Sequence, residues 1–485
     1  MVTSLMLDKF SCFDRFRWVY CQLEALRHCL PPSVARILEE LPETLDETYE
    51  RVLREINKAN REHARRLLQC LTVALRPLRV EELAEVLAID FDGPTHGGIP
   101  QLNPKWRWAD QHQAILSTCS SLITIVEDGD FKVVQFSHFS VKEYLTSDRL
   151  ARSTGDVSRY HIILDPAHTI LAQACLGVLL RLDDRVNEYN VRNIPLAKYA
   201  AQYWVDHARF ERVASRIRDA MEYFLDADKS HWAAWSRVQM VDEKFVIQPM
   251  KLQDAFPLYY ASLGGLYDMA EHLVGKHPEQ INARGGRRGT PLAAALHGKH
   301  FVVAELLYRN GASVDIRDAH SNTPLRTACI VPAPDTVQWL LNHGADVNTP
   351  TPLHSVAACG YSQVFRMLIE HNADIHIRND RGETPLHYAA SPYPGAHVNL
   401  DIMQILLDHG ADPNARDNNN STPLHHSSWF REMRIQGTAE GTSLLLKHGA
   451  IIDAEDNEGR TPLQLALEHG RDEIATCLKE HGATR

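Results

Sequence analysis

The segment Thr384-Pro385-Leu386-His387-Tyr388-Ala389-Ala390 is one copy of a pattern that recurs through the second half of the chain. Each copy opens with Thr-Pro-Leu, and the threonines are Thr290, Thr323, Thr351, Thr384, Thr422 and Thr461. Successive positions differ by 33, 28, 33, 38 and 39 residues. A period of about 33 residues indicates a repeat protein, in which each repeat buries its apolar face only against its neighbours.

The residue types within one copy predict its local structure. A threonine hydroxyl accepts an unpaired backbone N–H at a helix start, and proline suits the first turn because no N–H is needed there. The apolar block Ile405-Leu406-Leu407 predicts a second helix, and Gly410 after it permits the left-handed residue that ends a helix. The polar stretch Asn379-Asp380-Arg381-Gly382 predicts a hairpin turn between repeats.

These features resemble the ankyrin repeat, whose consensus contains Thr-Pro-Leu-His. A weaker first copy stands at Phe256-Pro257-Leu258, 34 residues before Thr290. We therefore expect about seven ankyrin repeats over residues 251–485. The hairpin before Thr351 is shortened, and insertions are expected after Ser391 and from Trp429 to Thr442. Insertions in repeat arrays usually form loops, often on the binding side.

The first 150 residues predict a different module. Thr44 and Glu47 have the spacing of a capping box, and helices are expected over 16–30, 64–75, 81–89 and 141–150. Two strands, 122–126 and 131–136, are joined through Asp128-Gly129, which is a hairpin signal. Helices followed by a β-hairpin predict a winged-helix-like module.

A second resemblance rests on several segments. They include Phe16-Arg17-Trp18-Val19, Leu41-Pro42-Glu43-Thr44-Leu45-Asp46-Glu47-Thr48-Tyr49, Arg76-Pro77-Leu78 followed by Glu82-Leu83-Ala84-Glu85, Phe136-Ser137-His138-Phe139-Ser140-Val141 and Pro195-Leu196-Ala197-Lys198-Tyr199. They are similar to the region that follows the nucleotide-binding core of fungal NACHT/ankyrin-repeat proteins, which are STAND or NLR-like. The resemblance implies a mainly α chain. It comprises a remnant helix of the NACHT-associated region (1–30), a winged-helix-like module (31–150), a helical connector (151–250) and an ankyrin-repeat α-solenoid (251–485).

The chain departs from that family at the nucleotide site. NACHT proteins carry a P-loop whose amides and lysine hold phosphates. Gly275-Lys276 and Gly298-Lys299 are the Gly-Lys pairs of this chain, and neither has the spacing of that motif. We therefore expect no nucleotide, no other cofactor and no NTPase activity. The chain begins after the position of the NTPase core, and whether a longer gene product contains that core stays open.

Composition limits the remaining partners. The formal net charge is −11, and residues 1–150 contain 18 Lys or Arg against 22 Asp or Glu, a net of −4. A winged helix can bind DNA, but phosphate contact needs the opposite balance, so no nucleic-acid partner is expected. Nine cysteines without a CxxC pair, no long apolar run and no signal peptide predict an intracellular protein away from the membrane, cytoplasmic rather than nuclear.

Histidine is frequent, with 26 residues, and could indicate metal or catalytic chemistry. Eight histidines, however, occupy two fixed repeat positions: His354, His387 and His425 after Thr-Pro-Leu, and His343, His371, His409, His448 and His481 near the end of the second helix. This regularity favours polar bonds between repeats or exposed helix ends. His138 beside Ser137 and Ser140 could form a Ser–His pair, but the stretch matches a packing motif. We expect no catalytic residue, no metal site and no enzyme.

The predicted function is protein–protein recognition on the concave face of the ankyrin array. Ankyrin partners meet hairpin tips and helix ends, which gives these candidate contact residues: His320, Asp380, Arg381, Glu383, Asn418, Trp429, Phe430, Glu458, Arg460 and His469. Trp429 and Phe430 either contact a partner or pack under the insertion that follows. The chain is then a sensor-like part of a NACHT-type signalling protein. The alternatives are a stand-alone scaffold or adaptor, and an enzyme with an unrecognised site.

Overall fold

The first helix of the structure begins at a capping box. Our computed structural model describes residues 44–93, 95, 99–119, 121–153, 155–182, 191–225, 231, 234, 235, 238, 256–286, 288–349, 352–391, 400–428 and 439–484. Thr44 Oγ1 accepts the N–H of Glu47 at 3.1 Å, and the Glu47 carboxylate accepts the N–H of Thr44 at 3.3 Å, as predicted. The predicted helix 16–30 and the side chains of Trp429 and Phe430 lie outside the described residues.

The chain divides into two compact units. The described residues before Leu258, together with Leu266–Leu273, form the first, and Leu258–Gly265 with the described residues from Val274 onward form the second. The helices that precede Pro257 are α1 Leu45–Glu55, α2 Arg61–Val73, α3 Val80–Leu87, α4 Gln111–Cys119, α5 Phe139–Leu145, α6 Asp148–Ala151, α7 Leu164–Leu179, α8 Ala197–Ala208, α9 Val213–Arg216 and α10 Arg218–Leu225. Short 3₁₀ turns occupy Lys58–Asn60, Pro104–Trp106, Gly155–Tyr160 and Val191–Asn193.

A small antiparallel sheet completes the winged-helix-like module. Its strands are β1 Leu78–Arg79, β4 Ile123–Asp128 and β5 Phe131–Phe136, in the order β1-β5-β4, while β2 Ile89–Asp90 pairs with β3 Gln101–Leu102. Gly129, with φ of +60°, makes the turn of the predicted hairpin. The hairpin prediction is confirmed, whereas β1 was not predicted because two residues have no readable periodicity.

Two buried carboxylates on α3 are fixed by arginines. Arg76 donates to both oxygens of Glu82 at 2.6 and 2.8 Å, and Arg107 donates to Glu85 at 2.5 and 2.9 Å. Both glutamates are almost fully buried. A buried charge is tolerated only when it is paired, so these arginines are required for the module's packing.

The helices after the module pack around a line of polar rings. Tyr199 Oη lies 2.8 Å from His207 Nε2, and His207 Nδ1 lies 2.8 Å from His168 Nδ1, which joins α7 to α8. The backbone N–H of Leu75 donates to Tyr199 Oη at 3.2 Å. Burial lowers the pKa of His207 to about 3 and that of His168 to about 4. Both imidazoles are therefore neutral near pH 7.

From Pro257 onward the described chain forms helices that alternate in the expected repeat order. They are α11 Pro257–Leu263, α12 Tyr267–Lys276, α13 Pro291–His297, α14 Phe301–Arg309, α15 Pro324–Ile330, α16 Pro334–Asn342, α17 Pro352–Cys359, α18 Ser362–Glu370, α19 Pro385–Ala390, α20 Leu400–Asp408, α21 Pro423–Ser428, α22 Ala439–Lys447, α23 Pro462–Glu468 and α24 Asp472–Glu480. Threonine caps are confirmed at Thr290, Thr323 and Thr461, whose hydroxyls accept the N–H three residues later. Across the part of the chain that the structure describes, no helix combines the length and apolar content needed to cross a bilayer.

The hairpin tips between repeats share one turn. Oδ1 of Asp318, Asn379, Asp417 or Asp456 accepts two backbone N–H groups, from residues two and four positions later. The fourth residue of each tip has a positive φ, and these residues are Ser321, Gly382, Asn420 and Gly459. The tips are therefore fixed turns, because each side chain satisfies the backbone groups that the loop leaves open.

Successive tips are also hydrogen-bonded to one another. The backbone N–H of Asn418 donates to Arg381 O at 2.9 Å, and that of Asn457 donates to Asn419 O at 3.0 Å. The approach is closest at Gly382, where an added Cβ would meet Asn418 Oδ1 at 2.4 Å and Asn418 N at 3.0 Å. Glycine is therefore required at position 382, because φ is +75° there and because a side chain would collide with Asn418.

Gly382→Ala tests this tip-to-tip contact, and Gly459→Ala is its matched control. Gly459 occupies the same turn position with φ of +73°, but an added Cβ would meet nothing within 4 Å. We expect Gly459→Ala to lower the free energy of unfolding by about 1 kcal/mol from backbone strain alone. Gly382→Ala should cost at least about 1 kcal/mol more, because Asn418 must move. Urea unfolding of both variants measures the difference, and equal losses would contradict the contact.

The buried histidine pair predicts that acid destabilises the first unit. His207 has a folded pKa of about 3, below its ordinary value of 6.5, so its contribution to stability is complete above about pH 6.5. This contribution is lost as the pH falls from 6.5 towards 4, where the unfolded chain takes up the proton. At pH 7 we expect His207→Gln to have a lower free energy of unfolding than wild type. Between pH 7 and pH 4, the free energy of unfolding of the variant should fall by about 3 kcal/mol less than that of wild type. Urea midpoints across this range measure the effect. The exposed His448→Gln is the control, and a His207→Gln profile parallel to wild type would refute the assignment.

Candidate functional site

The histidine of Thr-Pro-Leu-His joins neighbouring repeats. His387 Nδ1 accepts from the backbone N–H of Thr384 at 3.1 Å and from the Thr384 hydroxyl at 2.9 Å. On the other side of the ring, Nε2–H donates to Ser421 O at 3.2 Å, and Ser421 is the residue before the next Thr-Pro-Leu. One imidazole therefore caps its own helix and bonds to the backbone of the following repeat.

The same bridge occurs on either side of His387. His354 Nε2 donates to Glu383 O at 3.0 Å, and His425 Nε2 donates to Arg460 O at 3.1 Å. Burial lowers the pKa of His387 to about 4 and also lowers the pKa of His354 and His425. A neutral ring with one donor and one acceptor is the form that these bonds require. The predicted role as polar bonds between repeats is confirmed.

The second group of histidines ends the second helices. Nδ1 of His343, His371, His409 and His481 lies 2.6, 2.8, 2.7 and 2.8 Å from the carbonyl oxygen four residues earlier. Each of these carbonyl oxygens also accepts the backbone N–H of the same histidine, so the ring adds a second hydrogen bond at the last turn of the helix. His448 is exposed at the equivalent position of α22.

The predicted contact residues at the tips fall into two groups. His320, Asp380, Arg381 and Glu458 are exposed, as a recognition role requires. His469 is half-buried at the end of α23. The exposed tips are held in place by the turns beneath them, and their role as partner contacts stays a prediction.

Three other predicted contact residues already have partners inside the array. Glu383 is buried, and its Oε2 accepts from Asn379 at 2.8 Å. Asn418 is exposed but donates through Nδ2 to Asp380 O at 3.0 Å. Arg460 donates to Asp456 Oδ2 at 2.9 Å. These side chains support the tips, and each would have to exchange an internal hydrogen bond to contact a partner.

A partly enclosed pocket lies beside the tip that contains His320. Its volume is about 240 Å³, and its apolar lining includes Leu296, Ala328 and Val331. Lys299 also lines it. Val331 is 56% exposed, which is unusual for a large apolar side chain. The pocket was not predicted from the sequence, although the run Val331-Pro332-Ala333-Pro334 departs from the repeat pattern there.

A shallow groove of about 860 Å³ runs across α20, α22 and α24. Its lining includes five acidic residues, Asp401, Glu440, Asp472, Glu473 and Glu480, and one lysine, Lys447. The acidic residues come from three different repeats, so no single stretch of sequence signals their proximity.

The Ser–His pair considered from the sequence does form a hydrogen bond. Ser140 Oγ lies 2.6 Å from His138 Nδ1 and 2.8 Å from Tyr49 Oη. His138 Nδ1 also accepts the N–H of Ser140 at 3.3 Å, which caps α5. Ser140 is buried, and a nucleophile needs access to its substrate. The arrangement joins α1 to α5.

One group of potential metal ligands assembles between two repeats. Single ligand atoms of Glu383, Asp417 and His426 all lie within 4.8 Å of one another. His426 Nε2 is 3.0 Å from Asp417 Oδ2. No metal site was predicted here, because HExxH and cysteine motifs are short and contiguous, whereas these residues are 34 and 9 positions apart.

Comparison with known proteins agrees with both halves of the fold. The family described as Ankyrin repeats (3 copies) matches residues 258–351, 335–417, 353–434 and 396–484. Residues 258–484 are an ankyrin-repeat array. The family described as GPI inositol-deacylase, winged helix domain, matches residues 49–155. The predicted fold class, mainly α with a winged-helix-like module and an ankyrin α-solenoid, is confirmed.

Several curated proteins are similar to part of this chain. Azaphilone pigments biosynthesis cluster protein L of Monascus ruber is 30% identical over 297 residues, which are 57% of this chain and 61% of the relative. Ankyrin repeat and SOCS box protein 11 of Danio rerio is 39% identical over 101 residues, 20% of this chain and 34% of the relative. The chain thus spans less than two thirds of either relative. The crystal structure of the human ASB11 ankyrin repeat domain aligns with a TM-score of 0.39 at 24% identity, covering 47% of this chain and 99% of that one.

The expectation that the chain is not an enzyme is wrong. The winged-helix match names a deacylase, and the Monascus ruber relative is named for a biosynthesis cluster.

Proposed function

We propose that the protein recognises a protein partner through the hairpin tips of its ankyrin array. The observation that carries this proposal is the row of exposed side chains on turns that are fixed before any partner binds. Each tip is held by two backbone N–H bonds to one Asx side chain, and the tips of three successive repeats, which begin at Asn379, Asp417 and Asp456, are bonded to one another. A fixed turn loses little conformational entropy on binding, so contact energy is retained as affinity.

The pocket beside His320 supports the same surface. Its apolar lining of Leu296, Ala328 and Val331 can receive one large side chain of a partner, while polar tip residues surround it. Buried anchor side chains within a polar rim dominate most protein interfaces. We therefore place the partner's anchor side chain in the pocket beside His320. Its polar contacts would be made at Asp380, Arg381 and Glu458.

At a finer level, we propose that the chain is the sensor-like C-terminal part of a NACHT-type signalling protein. The domain plan is a remnant helix at 1–30, a winged-helix-like joint at 31–150, a helical connector at 151–250 and the sensing array at 251–485. The sequence resemblance to fungal NACHT proteins supports this plan. A stand-alone scaffold or adaptor has the same recognition surface without a switching role, and mapping the full coding sequence upstream of Met1 distinguishes the two.

The tip proposal predicts that a fourfold variant loses its partner without losing its fold. We would replace His320, Asp380, Arg381 and Glu458 with alanine in the full chain. Because all four are exposed, the melting temperature should stay nearly unchanged. Affinity for the partner should fall by a factor of 10 or more, about 1.4 kcal/mol.

The matched control replaces the exposed Arg366 and Glu370 of α18 with alanine, which leaves the tips intact. Immobilised wild type, fourfold variant and control are exposed to the same cell extract, and the retained proteins are quantified by mass spectrometry. Partner dissociation constants are then measured with purified components. A partner that binds all three chains equally would refute recognition through the tips.

The winged-helix match supports a second candidate, in which the array serves a hydrolase. A deacylase cleaves an acyl bond, so the full chain would hydrolyse a simple ester such as p-nitrophenyl acetate above the rate of buffer. Ser140→Ala should retain this activity because Ser140 is buried against Tyr49. Activity that disappears in Ser140→Ala with the fold retained would make Ser140 the nucleophile, and no activity in wild type would reject the candidate for this chain.

A further inference from the structure

We propose that Glu383, Asp417 and His426 bind a divalent transition metal ion, for which zinc is the best match. Two carboxylates and one imidazole are oxygen and nitrogen ligands of the kind that zinc takes. Calcium and magnesium prefer all-oxygen sets with more ligands. A fourth position would be left for water or for a partner's side chain.

The separations of the ligand atoms suit an ion of this size. Zinc–nitrogen and zinc–oxygen bonds of about 2.0–2.1 Å at tetrahedral angles place neighbouring ligand atoms about 3.3 Å apart. His426 Nε2 and Asp417 Oδ2 are 3.0 Å apart, and all three ligand atoms lie within 4.8 Å. Binding therefore needs shifts of about 1 Å, which side-chain rotation of Glu383 can supply, and a change of imidazole tautomer that frees Nε2.

Each ligand stands on a fixed part of the array. Asp417 Oδ1 is held by the N–H groups of Asn419 and Ser421 at 2.8 Å, which leaves Oδ2 directed at His426. His426 lies on α21. Glu383 directly precedes the first turn of α19, and its backbone carbonyl is held by the ring of His354. Ligands fixed by secondary structure and by supporting hydrogen bonds are the condition for a preorganised metal site.

Burial makes a cation favourable here. The Asp417 side chain is 3% exposed and that of His426 is 12% exposed. Glu383 is 9% exposed. Two carboxylates held this close and away from water repel each other more strongly than in solvent. The present hydrogen bond from His426 offsets part of this repulsion, and a divalent ion would offset the charge of both carboxylates.

An aspartate also occupies the Asp417 position at two other described tips, but there it is not accompanied by the histidine and the glutamate. The residue nine positions after the tip Asp or Asn is Thr327, Tyr388, His426 or Leu465. Asn379 donates to Tyr388 Oη at 3.1 Å, so a non-ligand pair fills the same place one repeat earlier. In the following repeat Asp456 pairs with Arg460 instead. The tip turn therefore forms at other tips without this ligand set, so the turn alone does not explain why Glu383, Asp417 and His426 come together.

The neighbouring repeats supply conservative variants for the test. Asp417→Asn keeps the turn, because Asn379 makes the same turn naturally, and it removes a charged ligand. His426→Tyr places the natural residue of the preceding repeat in the site. Asp456→Asn is the matched control, since it makes the same change at a tip without the ligand set. Circular dichroism and melting temperature without metal show that each variant is folded.

The experiment is a titration of the full chain, first stripped with a chelator, with zinc chloride by calorimetry and by thermal shift. Wild type and Asp456→Asn should bind one more equivalent of zinc than Asp417→Asn and His426→Tyr, with a matching rise in melting temperature. The loss of affinity at this site should exceed the 10- to 100-fold typical of lost supporting residues.

Other histidines and cysteines that bind zinc weakly are present in every variant, so only the difference between variants reports this site. Calcium and magnesium chloride should give no such difference. Equal stoichiometry and equal thermal shifts in wild type, Asp417→Asn and His426→Tyr would overturn the proposal, because the metal would then bind elsewhere.

Discussion

Three consecutive junctions of the array depend on a hydrogen bond from a neutral, buried imidazole to the backbone of the next repeat. A single repeat cannot bury its own apolar face, so its stability comes from the junction with its neighbour. His387 satisfies the cap of its own helix and a carbonyl oxygen of the following repeat with one ring. Because the ring is buried, it is neutral and can donate on one side while accepting on the other. Local capping and stacking of repeats are thus coupled in one side chain.

The tips show how a repeat array separates folding from recognition. Asx side chains and left-handed residues fix the course of each tip, and the positions between them can vary. Part of the set predicted to bind a partner belongs to the fixed framework, since Glu383 and Arg460 already pair within the array. The exposed side chains of His320, Asp380, Arg381 and Glu458 stand on this framework, and Glu458 also pairs with Arg460 at 2.9 Å.

Features governed by local physics could be predicted from the sequence. The cap at Thr44, the turn at Gly129 and the helix starts at Thr290 and Thr461 follow from residue types within a few positions. The regular spacing of the histidines predicted the hydrogen bonds between repeats. The metal-ligand group and the acidic groove could not be predicted, because their residues come from different repeats and meet only when the lateral register is known.

The bridges between repeats also have a mechanical consequence. Each one connects adjacent repeats, so a force applied to the two ends of the array would load all junctions in series, as in a chain of springs. His354, His387 and His425 reinforce three consecutive junctions. At the same position after Thr-Pro-Leu, the earlier repeats carry Ala293 and Arg326. In the first repeat that position holds Tyr259, whose hydroxyl accepts the backbone N–H of Arg288 at 3.1 Å. Under tension the three junctions bridged by histidine would therefore resist separation together, as one elastic block.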